Sequence, residues 1–232
     1  MDALANSTDI LGKGAYSVAD ARHLSGISDV KIRRWLLGRT RTYRGEQAYD
    51  PPLWAPAFPL FDEVLYLSFR DLIELRMVDR FRQQKISMPY LRKVVVAAQE
   101  LVGDSHPFST SRFKTDGRRL YLEMLSRTEE PKLVEVLSGQ HTFHSIISIG
   151  LKDIEFEGGV ASIWRPESGK GEVAIDPRRS FGKPILARYG IPTATIYGYV
   201  KRGRPTREVA SDFEVDGKAV RAAVAFEGQL AA

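Results

Sequence analysis

The chain has 232 residues, 43% of them hydrophobic, with 34 Lys and Arg against 29 Asp and Glu and a formal net charge of +5. This length and apolar content allow a proper core in one or two domains. The absence of cysteine excludes disulfides, thiolate metal sites and thiol sensors, and no apolar run approaches the length of a membrane span. The first residues, Met1 to Thr8, have neither a basic start nor an apolar stretch, so the expected location is the cytoplasm, with no membrane partner.

The first informative run is Ser17 to Gly38. Ser17 can cap a helix that stops at Gly26, and a second helix starts at Ser28. In that second helix Ile32, Trp35 and Leu36 share one face, and Lys31 and Arg34 fall on another. Two short helices joined at a glycine make a helix-turn-helix, whose second helix would present Asp29, Lys31 and Arg34 to bases or phosphates and Arg33 to phosphate. Residues 39–49 then alternate polar and β-favouring types around Gly45, as a short hairpin does, with Arg39, Arg41 and Arg44 placed to follow a phosphate backbone. Six basic residues and no acid occur from Val30 to Gly45. A solvated basic face on an ordinary helical pair is the plainer alternative.

Pro51 to Pro59 form a Pro-rich crossing back to the body. Ser68 caps a strong helix expected to run to about Lys85, with Asp71 in its first turn and Phe69, Leu72, Ile73 and Leu75 apolar. A second helix after Ser87 accepts Pro89 in its first turn and turns Leu91, Val94, Val95, Ala98 and Leu101 or Val102 inward. From Phe113 the period changes: Asp116-Gly117 predicts a hairpin, and strands are expected over Leu133–Phe143 and Ile154–Trp164, the latter folding about Gly158-Gly159. The expected class is α+β, with a winged helix-turn-helix and helical hairpin over 1–112, a small antiparallel β region over 113–174, and a helical domain over 175–232. Exposed strand edges favour pairing between chains, so a homodimer is expected. In the last domain eight Lys or Arg and no acid lie between Pro177 and Arg207, a pattern suited to an anionic polymer or an acidic protein cleft.

From Tyr16 to Tyr43, and above all in Ile32-Arg33-Arg34-Trp35, the chain resembles the MerR-like winged helix-turn-helix over about a quarter of its length. That resemblance implies a phosphate contact at Arg33. The aromatic pair usual after that position is replaced here by Arg34-Trp35. The run Asp176 to Ile185, with Ile191-Pro192-Thr193, Gly203 and Val209, is similar to the small helical, helix-turn-helix-like domain of unknown function found in VapB-type antitoxins. Relatives usually carry Gly-Thr-Arg-Ile-Pro where this chain has Arg188-Tyr189-Gly190-Ile191-Pro192, so a Gly stands in place of their Arg. Together the two ends resemble the long two-domain VapB-type antitoxins. The resemblance implies a repressor that binds its own double-stranded operator DNA and also binds and inhibits a PIN-domain ribonuclease toxin. Such a toxin holds carboxylates around Mg²⁺, and an inserted Arg can pair with them; candidates are Arg202, Arg204 and Arg207, with Arg178 and Arg179 behind them.

No enzyme is expected. The four histidines are His23, His106, His141 and His144; only the last pair is close, and on a strand two residues three apart face opposite ways. Neither a Walker loop nor a hydrolase or zincin motif occurs, and neither a metal nor another cofactor is implied. The rival reading is a one-component MerR-like regulator that senses a small ligand between Phe181, Tyr189, Tyr197 and Tyr199, although core packing explains those aromatics equally well.

Overall fold

A computed structural model describes residues 12–43, 45–116, 140–169 and 171–231. The class is α+β. The described residues fall into two compact units, one of residues 17–152 and 156–161 and the other of 12–16, 153–155 and 162–231.

The first unit begins with helix α1 (Val18–Ser25). Ser17 Oγ accepts the Asp20 N–H (3.1 Å), and Asp20 Oδ2 accepts the Ser17 N–H (2.9 Å), a reciprocal cap. Gly26, at φ 72°, ends the helix through its N–H to Arg22 O (2.8 Å). Helix α2 (Asp29–Leu37) starts at Ser28 and buries Ile32, Trp35 and Leu36. Strands β1 (Arg39–Tyr43) and β2 (Glu46–Asp50) pair antiparallel with Tyr43 opposite Glu46 and Arg39 opposite Asp50, so the wing expected around Gly45 forms. Gly38 sets its entry angle at φ 73°, ψ −171°, a region essentially closed to other residues. A Cβ there would meet Asp50 O at 2.6 Å and Tyr49 Oη at 2.8 Å.

Helices α3 (Phe69–Gln83) and α4 (Met88–Val102) form the expected helical hairpin. Ser68 and Asp71 make a second reciprocal cap on α3, Pro89 sits in the first turn of α4, and Leu91, Val94, Val95 and Ala98 are buried. Asp71 is fully buried and also accepts from Trp54 Nε1 (2.9 Å) and the Ala57 N–H (3.2 Å). His106 Nε2 lies 2.8 Å from Asp71 Oδ1; a carboxylate can only accept, so Nε2 carries the proton and Nδ1 faces Ser105 Oγ. Burial alone would raise the Asp71 carboxyl, but the hydrogen bond and charge of His106, with the Ser68 N–H, hold it below its ordinary value.

Two expectations in the middle of the chain fail. The hairpin at Asp116-Gly117 does not start: residues 111–116 are helical, and Gly117 lies outside the described residues. Thr110 Oγ1 accepts the Phe113 N–H (3.1 Å) as a helix cap does, and Phe113 is buried with its ring 4.7 Å from Phe108, which in turn lies 5.6 Å from Phe81. Capping and aromatic burial override the turn propensity of Asp-Gly. The strand expected over Leu133–Phe143 is replaced at its end by helix α5 (Gln140–Leu151), residues 133–139 lying outside the described set. Ile146, Ile147, Gly150 and Leu151 bury one helical face, a period near 3.6 rather than 2. A Cβ at Gly150 would meet Met77 Sδ at 2.4 Å, so the glycine lets α5 approach α3 closely. His141 and His144 therefore fall on a helix, and the strand argument about them does not apply.

Strands β3 (Ile154–Glu157) and β4 (Val160–Trp164) do fold about Gly158-Gly159, both at positive φ. The sheet continues through β5 (Val173–Ile175) and β6 (Pro184–Leu186), order β3-β4-β5-β6, with β4/β5 and β5/β6 antiparallel. Strand β6 lies within the expected helical domain, where no strand was foreseen; its Pro184 is tolerated because β6 is an edge strand. Helices α6 (Thr193–Lys201), α7 (Thr206–Asp212) and α8 (Gly217–Leu230) complete the second unit around Leu186, Ile196, Val209, Val215, Ala219, Val220 and Ala223.

Glu74, one turn after Asp71, is 1% exposed with Oε2 lacking a partner. Burial pushes its carboxyl well above the ordinary value, against the opposing Ser109 N–H and Arg70 charge. The unfolded chain ionises near pH 4.5 while the fold keeps the proton, so the unfolded state binds fewer protons and stability falls as pH rises above that value. Urea denaturation should therefore show wild type losing stability from pH 5 to pH 8 relative to Glu74→Gln; parallel pH profiles would mean that Glu74 is ionised in the fold. Gly38→Ala should cost about 1–3 kcal/mol in the same assay. An unchanged midpoint would show that the wing tolerates a side chain there.

Candidate nucleic-acid interface

The cations read from the first unit divide into two groups. Lys31 and Arg33 are exposed on α2. Lys31 Nζ lies 3.9 Å from Asp79 Oδ1, and Arg33 has neither a hydrogen bond nor an ion pair among the described residues. Val30 beside them is 76% exposed, so this helical face is open, while Asp29 Oδ1 sits 3.8 Å from Arg22 Nη1. The second group gathers on one carboxylate. Arg39 Nε donates to Asp50 Oδ2 (3.2 Å), Arg41 Nε lies 3.4 Å from Asp50 Oδ1, and Arg34 Nη2 lies 3.9 Å from Oδ2. Arg44 is outside the described residues.

The hydrogen bond from Arg39 holds the Asp50 carboxyl below its ordinary value, helped by the charge of Arg41 and opposed by partial desolvation. Arg34 is displaced downward, first by burial and then by Arg39, with Asp50 opposing and Arg92 adding repulsion. Its side chain is 34% exposed and its Nε is buried without an acceptor. A cleft of about 310 Å³ opens at this cluster, lined by Arg34, Arg41, Asp50, Pro51, Met88, Pro89 and Arg92. Arg92 Nη1 donates to Pro51 O and to Pro52 O (3.2 Å for the latter). Neither Asp50 nor Arg92 stands out in the sequence. Asp50 was within reach: a hairpin about Gly45 sets it opposite Arg39. Nothing in the local pattern of α4 marks Arg92.

In the second unit, Arg178 Nε pairs with Asp176 Oδ1 (3.2 Å), and Arg179 Nη1 donates to Ala187 O (3.1 Å). Arg204 Nη2 is held by Asp212 (2.7 Å) and Glu208 (3.5 Å). Arg202 lies over the Tyr199 ring (5.3 Å), as Arg204 does (5.9 Å), and Lys201 lies over Tyr197 (5.5 Å). Arg202 Nε also donates to Gly198 O (2.9 Å). Arg207 is exposed and has no partner among the described residues. The end of α6 and the start of α7 thus carry cations whose charge is only partly answered.

The aromatics weighed for a ligand pocket are dispersed. Tyr189 and Tyr199 pack on the core of the unit, with Tyr189 Oη donating to Asp216 Oδ2 (2.9 Å), whereas Phe181 is 64% exposed. Phe181 stands in a left-handed run, with Ser180 at φ 49°, itself at 55° and Gly182 at 83°, fixed by Tyr16 Oη donating to Gly182 O (2.9 Å). Among the described residues no three His, Asp or Glu converge as metal ligands, and no helix is long and apolar enough to cross a membrane.

Residues 173–226 match the family described as "Protein of unknown function (DUF433)". Over 221 residues the chain is 27% identical to a Mycobacterium tuberculosis protein named "Putative antitoxin VapB45", covering 90% of this chain and 92% of that protein. The crystal structure of Rv2018 from Mycobacterium tuberculosis has the same fold, with a TM-score of 0.72 at 22% identity, over 90% of this chain and 96% of that one. The match to a protein named as an antitoxin therefore runs through both units rather than through the DUF433 segment alone.

Proposed function

We propose that this chain is the antitoxin of a type II toxin-antitoxin system. The observation that carries the reading is the likeness to a protein named as an antitoxin over nine-tenths of both chains. In this account the first unit is a MerR-like winged helix-turn-helix that represses its own operator. Helix α2 offers Lys31 and Arg33 to the duplex, and the wing offers Arg39, Arg41 and Arg44 to the flanking phosphates. The partner expected at the second unit is a PIN-domain ribonuclease. Its carboxylate cluster would take a cation from the end of α6 or the start of α7. Arg207 and Arg202 retain unused donors, whereas Arg204, Arg178 and Arg179 are already engaged within the chain. A homodimer would place two wings on a palindrome with half-sites about 10 base pairs apart or a multiple of it.

Coexpression of the tagged chain with the product of its neighbouring gene tests the toxin half. The complex should copurify without ribonuclease activity, activity should appear once the chain is removed, and the pair Arg202→Ala and Arg207→Ala should release it. A chain that purifies alone beside an unrestrained neighbour would contradict the reading. For the DNA half, Lys31→Ala with Arg33→Ala should lower the slope of log affinity against log salt by about two units on the upstream duplex, and leave inhibition of the nuclease intact.

A further inference from the structure

We infer that the cleft at the base of the wing is a preformed seat for a backbone phosphate of duplex DNA, with Arg92 of helix α4 as a contacting residue and Asp50 as a counter-charge that restrains the seat until DNA arrives. The inference rests on the DNA-binding half of the proposed function and extends it to a helix whose sequence reads only as support.

Four guanidinium groups, those of Arg34, Arg39, Arg41 and Arg92, act on one carboxylate. Asp50 can answer only part of that charge. Arg34 shows the shortfall: its nearest contact to Asp50 is 3.9 Å, its Nε is buried with no acceptor, and its positive form is disfavoured by burial and by neighbouring arginines. A buried donor without a partner carries a desolvation cost that an incoming oxyanion removes. Arg92 spends Nη1 on the Pro51 and Pro52 carbonyls, which fixes the guanidinium at the cleft and leaves its other nitrogens to donate. The cavity of about 310 Å³ between these groups accommodates a phosphate with its waters. Two features select DNA over a free anion. Arg34 of the cleft belongs to α2, the helix on which Lys31 and Arg33 are exposed, and the cations of the cleft come from three elements, α2, the wing and α4, as a strand backbone would meet them. Asp50 costs some affinity but holds the arginines in place, since it is the residue their side chains share.

Binding of a mixed-sequence duplex is measured across a salt series for wild type, Arg33→Ala, Arg92→Gln, Arg92→Lys and Asp50→Asn. Arg92→Gln should lower the salt slope by about one unit, and Arg92→Lys should restore it. Asp50→Asn should bind several-fold more tightly, because a repulsion between carboxylate and phosphate is removed. If Arg92 only braces the wing, Arg92→Gln loses thermal stability while its slope equals that of wild type, and the inference is overturned. That outcome with a reduced slope in Arg33→Ala leaves the DNA reading standing; no binding by wild type at low salt brings down both. Titration with inorganic phosphate at constant ionic strength should show no saturation at micromolar concentration. Micromolar binding that is lost in Arg92→Gln would assign the cleft to a free oxyanion and overturn the DNA assignment.

Discussion

The buried carboxylate of Asp71 decides where the parts of the first unit sit. It accepts hydrogen bonds from Trp54 and Ala57 on the segment that returns from the wing, from Ser68 at the start of α3, and from His106 after α4. One anion thus ties the wing's exit, the helical hairpin and the loop that follows it. Such a group is tolerable only because its donors are present; leaving a buried acceptor unsatisfied costs about 1–3 kcal/mol, and more when it is charged. Because the Pro-rich crossing is pinned here, Pro51 and Pro52 lie where Arg92 can reach their carbonyls, and the basic cleft has a fixed wall.

The two carboxylates at the start of α3 show how environment rather than residue type sets charge. Asp71 is surrounded by donors and stays ionised; Glu74, three residues on, receives a single N–H from Ser109 and is held toward its neutral form by burial. Asp50, in contrast, is set low by arginines at the surface. The same physics of anions answered by too many or too few donors runs from the core to the cleft, where Arg34, Arg41 and Arg92 outnumber the carboxylate of Asp50.

Much of this architecture is legible in the residues. Ser17, Ser28 and Ser68 do mark helix starts, Gly26 does end α1, and the apolar spacing of α2 and α4 does name their buried faces. Gly45 and Gly158-Gly159 do place hairpin turns. Sequence failed where tertiary packing outweighed local preference: the aromatic cluster of Phe81, Phe108 and Phe113 draws 111–116 into a helix despite Asp116-Gly117, and a buried face at Ile146, Ile147 and Leu151 makes α5 helical where β-favouring residues suggested a strand. At the candidate site, the individual arginines were readable and the hairpin register puts Asp50 opposite Arg39, but the convergence of Arg34 and Arg41 on that carboxylate was not, and Arg92 arrives from 41 residues beyond its Pro51 acceptor. The functional expectation came from resemblance rather than spacing: the run from Asp176 to Val209 is similar to a domain of VapB-type antitoxins, and Tyr16 to Tyr43 resembles a MerR-like winged helix-turn-helix.

The central claim is a division of labour, DNA at the winged end and a nuclease at the helical end. Hydrogen–deuterium exchange of the full chain with and without its upstream duplex tests it most directly. The account predicts protection in residues 28–50 and at the start of α4 around Arg92, with exchange over α6 and α7 unchanged. Protection confined to residues 193–212, with none in α2 or the wing, would contradict it.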